Sequence, residues 1–582
     1  MSARIAEELS KQTRELVSRF EQRANGFRGR NDLSEFVVPV GVAEAERSAR
    51  ELFGEGEHTA VGIDGSMDFD ERLQMMLFYS NATAYSCPFT VGSHVQFDLA
   101  AARREEKLAA SAAIPLWAED LGSIFSREPE LDIELEHSMD RIPNSFMTLG
   151  ELYLALKAAE TADVIFLDRP LSGTFSTLSR DARNLLRRGE SRLAEWDRNH
   201  RVTALDLELA VNLGSPALIV PTRQRFLPLA MVKLLLQGPM TFAELAASLA
   251  ATEGEIKRSA RVIGRLDSRH GNTLLADFSA SGIKLNEDAA GYWKRVSTLS
   301  LDYSREVFEG EKHPLAVGGD QYLTILDVNA VALFLLLLLC ERAQKAHLLL
   351  IGIAKDTTAT DITRAVLPFA SSSGFVHLKS PPPRLKNDKA FLAILSSENP
   401  SITTPWRTVS YDSSYSTMVE FDGKFVGARK VVSREKLFAR SFFQLRTLKS
   451  DPSVRSQVFL FDRLYDEAHD SRALRTFEVR ERFGETTIEA YFEGDSRSDL
   501  SNLILHILSM NDNPEVFEAY GHNQLLYLAD KAVKSEVRML RSSLRGVADL
   551  RVGGVSRRRK IFGLVTTYRQ QRAEAEHARI GR

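Results

Sequence analysis

Two apolar runs in this chain stop at an acid, and that pattern narrows the folds open to it. Val61, Gly62 and Ile63 lead into Asp64, and Val164 to Leu167 lead into Asp168. A short continuous apolar run suits a strand covered on both faces, as in an α/β fold with helices packed over a sheet. The carboxylate that follows then stands at the C-terminal edge of the sheet, where such folds gather ligands and do chemistry. A third acid, Glu151, follows in Thr148-Leu149-Gly150-Glu151. A set of oxygen donors favours Mg²⁺ or Mn²⁺ over zinc, because hard cations prefer hard anionic oxygens. The expected chemistry is phosphoryl transfer to water. Each acid alone has a plainer reading. Asp64-Gly65 is a common turn pair, Thr148 to Glu151 fits a helix capping box, and Asp168 precedes the turn-forming Arg169-Pro170.

At 582 residues the chain is too long for one compact core, which argues for two or three domains. Hydrophobic residues make up 44% and charged ones 26%, a composition that excludes global disorder. The two cysteines, Cys87 and Cys340, supply neither a disulfide framework nor a zinc site, so a reducing compartment is expected. The start, Met1 to Gln12, has no apolar signal-peptide core, and Val331 to Cys340, bracketed by Asp327 and Glu341, is too short to span a bilayer. It reads as a buried helix under the sheet. The expected location is the cytoplasm, with no membrane contact.

Along the chain, a helical segment (1–55) precedes a first α/β half (56–222), in which Ala204 to Leu213 reads as a buried element and Ala217 to Pro221 as a short strand. Within an insertion (223–300), Thr241 and Thr252 cap two amphipathic helices, one carrying Leu245 and Leu249, the other Ile256, Ala260 and Ile263. The arrangement looks like a winged-helix-type helix-turn-helix, with Lys257, Arg258, Arg261 and Arg265 along the second helix, where a recognition helix would meet DNA. A second α/β half (301–547) contains a strand running from His347 to Lys355. It also holds a meander of Trp406 to Tyr411, Thr417 to Phe421 and Phe425 to Val432, the last two joined through Asp422-Gly423. Gln457 to Phe461 reads as a strand ending at Asp462, an accessory ligand or a decoy, and Ser380 to Pro383 as a surface loop. The tail (548–582) gathers Arg551, Arg557, Arg558, Arg559, Lys560, Arg569 and Arg572. With a net charge of −3, nucleic-acid binding would have to rely on local basic surface of this kind.

The ordered set Gly62-Ile63-Asp64-Gly65-Ser66, Glu151 and Asp168 resembles the NurA family of DNA-end-processing nucleases. The stretch Met67 to Leu73, the seventeen-residue spacing from Glu151 to Asp168 and the strand ending at Lys355 add to the likeness. The resemblance covers about two thirds of the chain, in two blocks that exclude the insertion and the tail. It implies a ribonuclease H-like mixed α/β sheet with flanking helices, here split by the insertion. It also implies Mn²⁺ or Mg²⁺ held by Asp64, Glu151 and Asp168, with Lys355 on the scissile phosphate. The family's C-terminal motif of a tyrosine and a histidine is altered here. His522 stands at the tyrosine and Asp530 at the histidine, where an aspartate still suits either metal.

The activities implied are single-strand DNA endonuclease and 5′-to-3′ exonuclease, in break repair or antiphage defence. The partners implied are single- and double-stranded DNA ends, a second copy of the chain and a hexameric HerA-like ATPase. The chain has no G-x-x-x-x-G-K-[ST] sequence of its own. Two other readings stand beside this one: a catalytically inactive DNA-binding scaffold, and a different ribonuclease H-superfamily phosphodiesterase.

Overall fold

The computed structural model describes residues 2–559 apart from 28–29, 73–74, 126–138, 190, 198–201, 219–226, 280–281, 319–320, 380–381, 384, 422–423, 428–436, 449–450, 452–453, 482–483, 495–498 and 513–520. Its centre is a mixed sheet of eleven strands among the described residues. They are β1 (Val37–Pro39), β2 (Gly56–Arg72), β3 (Met75–Val91), β4 (Val95–Phe97), β5 (Arg103–Trp117), β6 (Val164–Leu167), β7 (Leu349–Ala354), β8 (Trp406–Thr408), β9 (Tyr411–Asp412), β10 (Phe438–Gln444) and β11 (Phe459–Leu464). The order is β1-β8-β10-β11-β7-β6-β2-β3-β4, with β5 also on β3 and β9 also on β10. Within it β2, β6 and β7 run parallel, while β3 and β5 continue outward from β2 as an antiparallel meander.

The period-two alternation of strand side chains explains the apolar runs. Val61, Ile63, Ile165, Leu167 and Leu350 enter one core, while Ala60, Val164, Phe166, Leu349, Ile351 and Ile353 enter another on the opposite face. Over the first face lie α1 (Arg141–Ala158), α2 (Leu171–Arg188) and α3 (Ile325–Ala346). α3 starts at a Thr324–Asp327 capping box and buries most of its length, packing chiefly on α1 and α2. Over the second face lie the helix Asp499–Met510 and α4 (Gln524–Arg559). α4 can cross β2 closely because Gly62 has no side chain. A Cβ there would meet Leu525 Cβ at 2.6 Å.

Several expectations need correction. β2 does not end at Asp64 but runs on to Arg72, paired with β3 throughout. Glu151 is not a cap, since α1 begins at Arg141 and the Thr148 hydroxyl donates to the carbonyl of Asn144 (2.8 Å). Asp462 lies inside β11, not at its end, because the ladder to β10 continues to Leu464. The expected meander is two sheets. Trp406–Thr408 joins the main one, while Met418–Phe421 and Lys424–Gly427 pair in a separate sheet with Leu474–Glu481 and Gly484–Tyr491. Ala217 and Leu218 are in a turn, not a strand.

Asp422-Gly423, residues 219–221, Ser380-Pro381, residues 428–432, and Lys560, Arg569 and Arg572 fall outside the described residues. Arg551 and Arg557 to Arg559 belong to the helical backbone of α4.

The segment between α2 and α3 has its own order of elements. Helix Leu227–Leu235 is followed by Met240, which bridges to Ile283, then by helices Phe242–Ser248 and Glu253–Arg269 and the hairpin Leu275–Phe278 with Ile283–Leu285. Both later helices open with capping boxes, Thr241 with Glu244 and Thr252 with Glu255, as their sequences predict. Ile256, Ala260 and Ile263 join the core shared with α1 to α3.

Candidate active site

The parallel ladder between β2 and β6 ends at Ile63 and Leu167. Asp64 and Asp168 are therefore the first pair beyond it, tied by a hydrogen bond from the Asp168 amide to the Ile63 carbonyl (3.2 Å). β7, on the other side of β6, ends at Ala354, which places Lys355 at the same edge. Its Nζ lies 2.5 Å from Asp168 Oδ2 and 4.0 Å from Asp64 Oδ2. Glu151 reaches the group from α1, one element above the sheet. Sequence order separates these four residues, and the parallel strand order β2-β6-β7 unites them.

Two glycines make this convergence sterically possible. A Cβ at Gly65 would lie 2.4 Å from Glu151 Oε1 and 2.6 Å from Met147 Cγ. A Cβ at Gly352 would lie 2.5 Å from the Arg169 carbonyl oxygen, so the loop after Asp168 could not close over β7. Gly65→Ala is expected to push Glu151 off its present position and, if the acids hold a divalent cation, to weaken Mn²⁺ binding about 10- to 100-fold, the usual scale for disturbing a ligand's support. Calorimetry with Mn²⁺ checks this; wild-type affinity in the variant would contradict it.

Arg169, which sequence reasoning passed over, grips Glu151. Its Nε donates to Glu151 Oε2 and its Nη1 to Thr148 Oγ1 (2.9 Å). The only sequence signal was its place directly after Asp168. Asp462, in turn, holds the start of α2. It accepts from the Ser172 amide (2.9 Å) and hydroxyl (2.6 Å), and from Arg440 Nε (3.3 Å). Its role is to anchor the chain that leaves Asp168.

Burial is the dominant electrostatic influence on the acids. It pushes the Asp64 carboxyl up to about 9, helped by the charges of Asp168 and Glu151 and opposed by Lys355. Burial also raises Glu151, against the pull of Arg169. For Lys355, burial works downward but Asp168 and Asp64 outweigh it, so its ammonium is held above the ordinary lysine range.

Asp64 sets a pH dependence whose sign follows from its shift. It ionises near 3.8 in the unfolded chain and only near about 9 in the folded protein without metal. The stability it contributes is complete below pH 3.8 and is lost as pH rises toward 9, by at most about 1.4 kcal/mol per unit. Asp64→Asn cannot ionise, so in EDTA it is expected to melt above wild type near pH 8 and level with it near pH 4. Thermal melts across that range decide the matter; equal melting at both ends would refute it.

His522 and Asp530 come to the same neighbourhood from the other face of the sheet. The His522 ring is buried, stacks on Phe459 with centroids 5.4 Å apart, and has no hydrogen-bond partner at either nitrogen. Burial and the charge of Lys355 push its pKa down to about 4, against Asp168 and Asp530, so the ring is neutral at pH 7. Asp530, on α4, pairs with Lys534 one turn on (2.7 Å) and also acts on Lys355.

The donors suit a hard divalent cation. All are carboxylates, and Asp64 Oδ2 is buried without a hydrogen-bond partner. A buried polar oxygen without a hydrogen-bond partner is costly to keep, and a bound cation would both satisfy it and favour its ionised form. Lys355 and Arg169 occupy the neighbouring acids, and among the described residues no three potential ligands converge on one point. Metal entry would therefore require the Lys355 ammonium to give way.

Beside the acids opens a cleft of about 810 Å³, whose lining includes Asp168, Arg169, Lys355, Arg141, Thr174, Arg180 and Asp181. Cations and hydroxyls at the mouth of a carboxylate group suit a phosphate chain.

No family model and no curated protein matches this chain. It is similar to solved structures of NurA. The crystal structure of the NurA nuclease from Sulfolobus solfataricus is 10% identical, with 94% of this chain and 97% of that chain covered and a TM-score of 0.38. A crystal structure of NurA with manganese is 12% identical over 93% and 98%, with a TM-score of 0.33. One of NurA bound to dAMP and manganese is 12% identical over 90% and 93%, again with a TM-score of 0.33.

Proposed function

We propose that this chain is a NurA-like, metal-dependent nuclease that hydrolyses DNA phosphodiesters at Asp64, Glu151 and Asp168. The observation that carries this reading is the meeting of Asp64 and Asp168 past the end of the β2-β6 ladder, with Glu151 over Gly65 and one Asp64 oxygen buried without a hydrogen-bond partner. The sheet order β5-β3-β2-β6-β7, an antiparallel meander followed by two strands parallel to its first, supports the ribonuclease H-like assignment of the nuclease core.

A bound Mn²⁺ or Mg²⁺ would supply an activated water and neutralise charge on the leaving oxygen. Asp64, Glu151 and Asp168 would hold it, with Asp530 joining them on release from Lys534. Arg169 fixes the Glu151 carboxylate and leaves Oε1 facing Gly65. Lys355, displaced from Asp168, would pair with a phosphate oxygen at the point where negative charge develops. His522, neutral at pH 7, packs beside them and cannot serve as a cationic acid there.

The proposal extends to a homodimer in the cytoplasm, working in break repair or antiphage defence with a HerA-like hexameric ATPase that feeds it DNA. The absence of a phosphate-binding G-x-x-x-x-G-K-[ST] loop from this sequence supports an external motor. Among the described residues no helix is long and apolar enough to cross a membrane. One observation favours a second reading, an inactive DNA-binding scaffold: Lys355 and Arg169 already pair with two of the three acids.

The test is cleavage of end-labelled single- and double-stranded DNA and matched RNA in Mn²⁺, Mg²⁺ or EDTA, with and without a HerA-like ATPase. Metal-dependent cutting of DNA is expected. DNA bound but uncut in every condition would favour the scaffold, and preferential cutting of RNA would point to another ribonuclease H-superfamily activity.

A further inference from the structure

We infer that the exposed face of helix Glu253–Arg269 is a duplex-DNA binding surface, separate from the acid site and independent of whether that site cuts. The helix has two opposed faces. Ile256, Ser259, Ala260 and Ile263 are buried, while Arg258, Arg261, Val262 and Arg265 are exposed. At 3.6 residues per turn the three arginines fall within about 60° of one another and Val262 widens the face to about 100°, while Arg258 to Arg265 span about 10 Å along the axis. That stripe fits along a major groove about 12 Å wide.

The charges on this face are unspent. None of Arg258, Arg261 and Arg265 pairs with a carboxylate among the described residues. The nearby acids are engaged elsewhere. Glu253 takes Lys257 (3.1 Å), Glu255 closes the Thr252 capping box, and Asp267 accepts from the Leu274 amide (2.7 Å) at the start of the hairpin. Val262, 47% exposed in the middle of the stripe, is the kind of apolar contact a thymine methyl accepts.

The surrounding architecture presents the helix outward. Helices Leu227–Leu235 and Phe242–Ser248 pack against it, Asp267 near its end accepts from the Leu274 and Leu275 amides where the hairpin Leu275–Phe278 with Ile283–Leu285 begins, and the Met240 to Ile283 bridge closes the unit. The hairpin carries exposed Phe278 and Lys284, together with one acid, Asp277. A helix backed by a second helix and flanked by a hairpin is a winged-helix arrangement, whose exposed helix enters a major groove. Duplex DNA is the occupant that fits. The major groove of double-stranded RNA is too narrow for a helix, and single strands offer no groove.

The test is fluorescence anisotropy of the full chain on a 20-base-pair duplex and a 20-nucleotide single strand, in EDTA so that no cleavage can intervene, across a salt series. The Arg258→Ala/Arg261→Ala/Arg265→Ala variant is expected to bind the duplex about 10- to 100-fold more weakly, with the slope of log K against log salt reduced by about 2 to 3. Its single-strand affinity and its melting temperature should equal wild type. The three Arg→Lys changes should keep most of the salt slope, because phosphate neutralisation needs only charge. Wild-type duplex affinity and slope in the alanine variant, or no duplex binding by wild type, would overturn the inference. Retained duplex binding coupled to lost binding of an acidic protein partner would reassign the face to that partner.

Discussion

Asp64→Ala is expected to lower metal-dependent DNA cleavage by at least about three orders of magnitude, roughly 4 kcal/mol of transition-state stabilisation, while the protein stays folded. Asp64 sits where the paths of β2 and β6 part, next to Asp168 in space, and carries a buried carboxyl oxygen with no hydrogen-bond partner. No neighbour can take its place. Asp168 is already paired with Lys355, and Glu151 with Arg169. Because burial raises the Asp64 carboxyl so far, its removal does not weaken the metal-free fold through charge. The measurement is single-turnover cleavage of a labelled oligonucleotide with saturating Mn²⁺, beside circular dichroism of both proteins. Asp530→Ala is the informative comparison and should cost much less, since Asp530 is already paired with Lys534. Equal loss in the two would move Asp530 into the metal set; activity retained in Asp64→Ala would end the nuclease proposal.

Glu493→Gln is expected to destabilise the protein by about 3 to 5 kcal/mol. Arg407 and Glu493 form a two-pronged ion pair, both contacts 2.6 Å, and both residues are at most 1% exposed. The Ser410 amide also donates to Glu493 (2.7 Å), so one carboxylate ties β8 to the chain beyond the second sheet. Removing the charge leaves the Arg407 guanidinium buried without a counter-ion, and that desolvated charge is the main cost. Replacing both partners, as in Arg407→Met/Glu493→Leu, should recover much of the loss, because no charge then remains in the core. Urea unfolding of wild type and the two variants reads out the difference. A single-variant loss below about 1 kcal/mol would mean that water reaches the pair.

The candidate site was legible in part. Asp64 and Asp168 could be picked out because each follows an apolar run, and the strands β6 and β7 were read nearly to their ends. Glu151 was found only through a family resemblance, since nothing local separates a buried mid-helix glutamate from a capping one. Arg169, Gly65 and Gly352 were missed. Their importance lies in what stands opposite them in space: Glu151 for the first two, and the Arg169 backbone for the third. Asp462 was left open between an accessory ligand and a decoy for the same reason, because its partners Ser172 and Arg440 come from other parts of the chain.

The sequence alone determined the local elements whose causes are local: the capping boxes at Thr241, Thr252 and Thr324, the buried strands, and the amphipathic helix with its basic outer face. Neighbouring side chains and backbone groups settle those choices within a few residues. The tertiary structure decided which strands became neighbours, and therefore which acids share a site. It also turned the Arg407 and Glu493 charges into a buried pair and set Lys355 between two carboxylates. Such outcomes depend on pairings across long stretches of chain, where burial fixes the strength of every charge interaction, and no short window of sequence contains both partners.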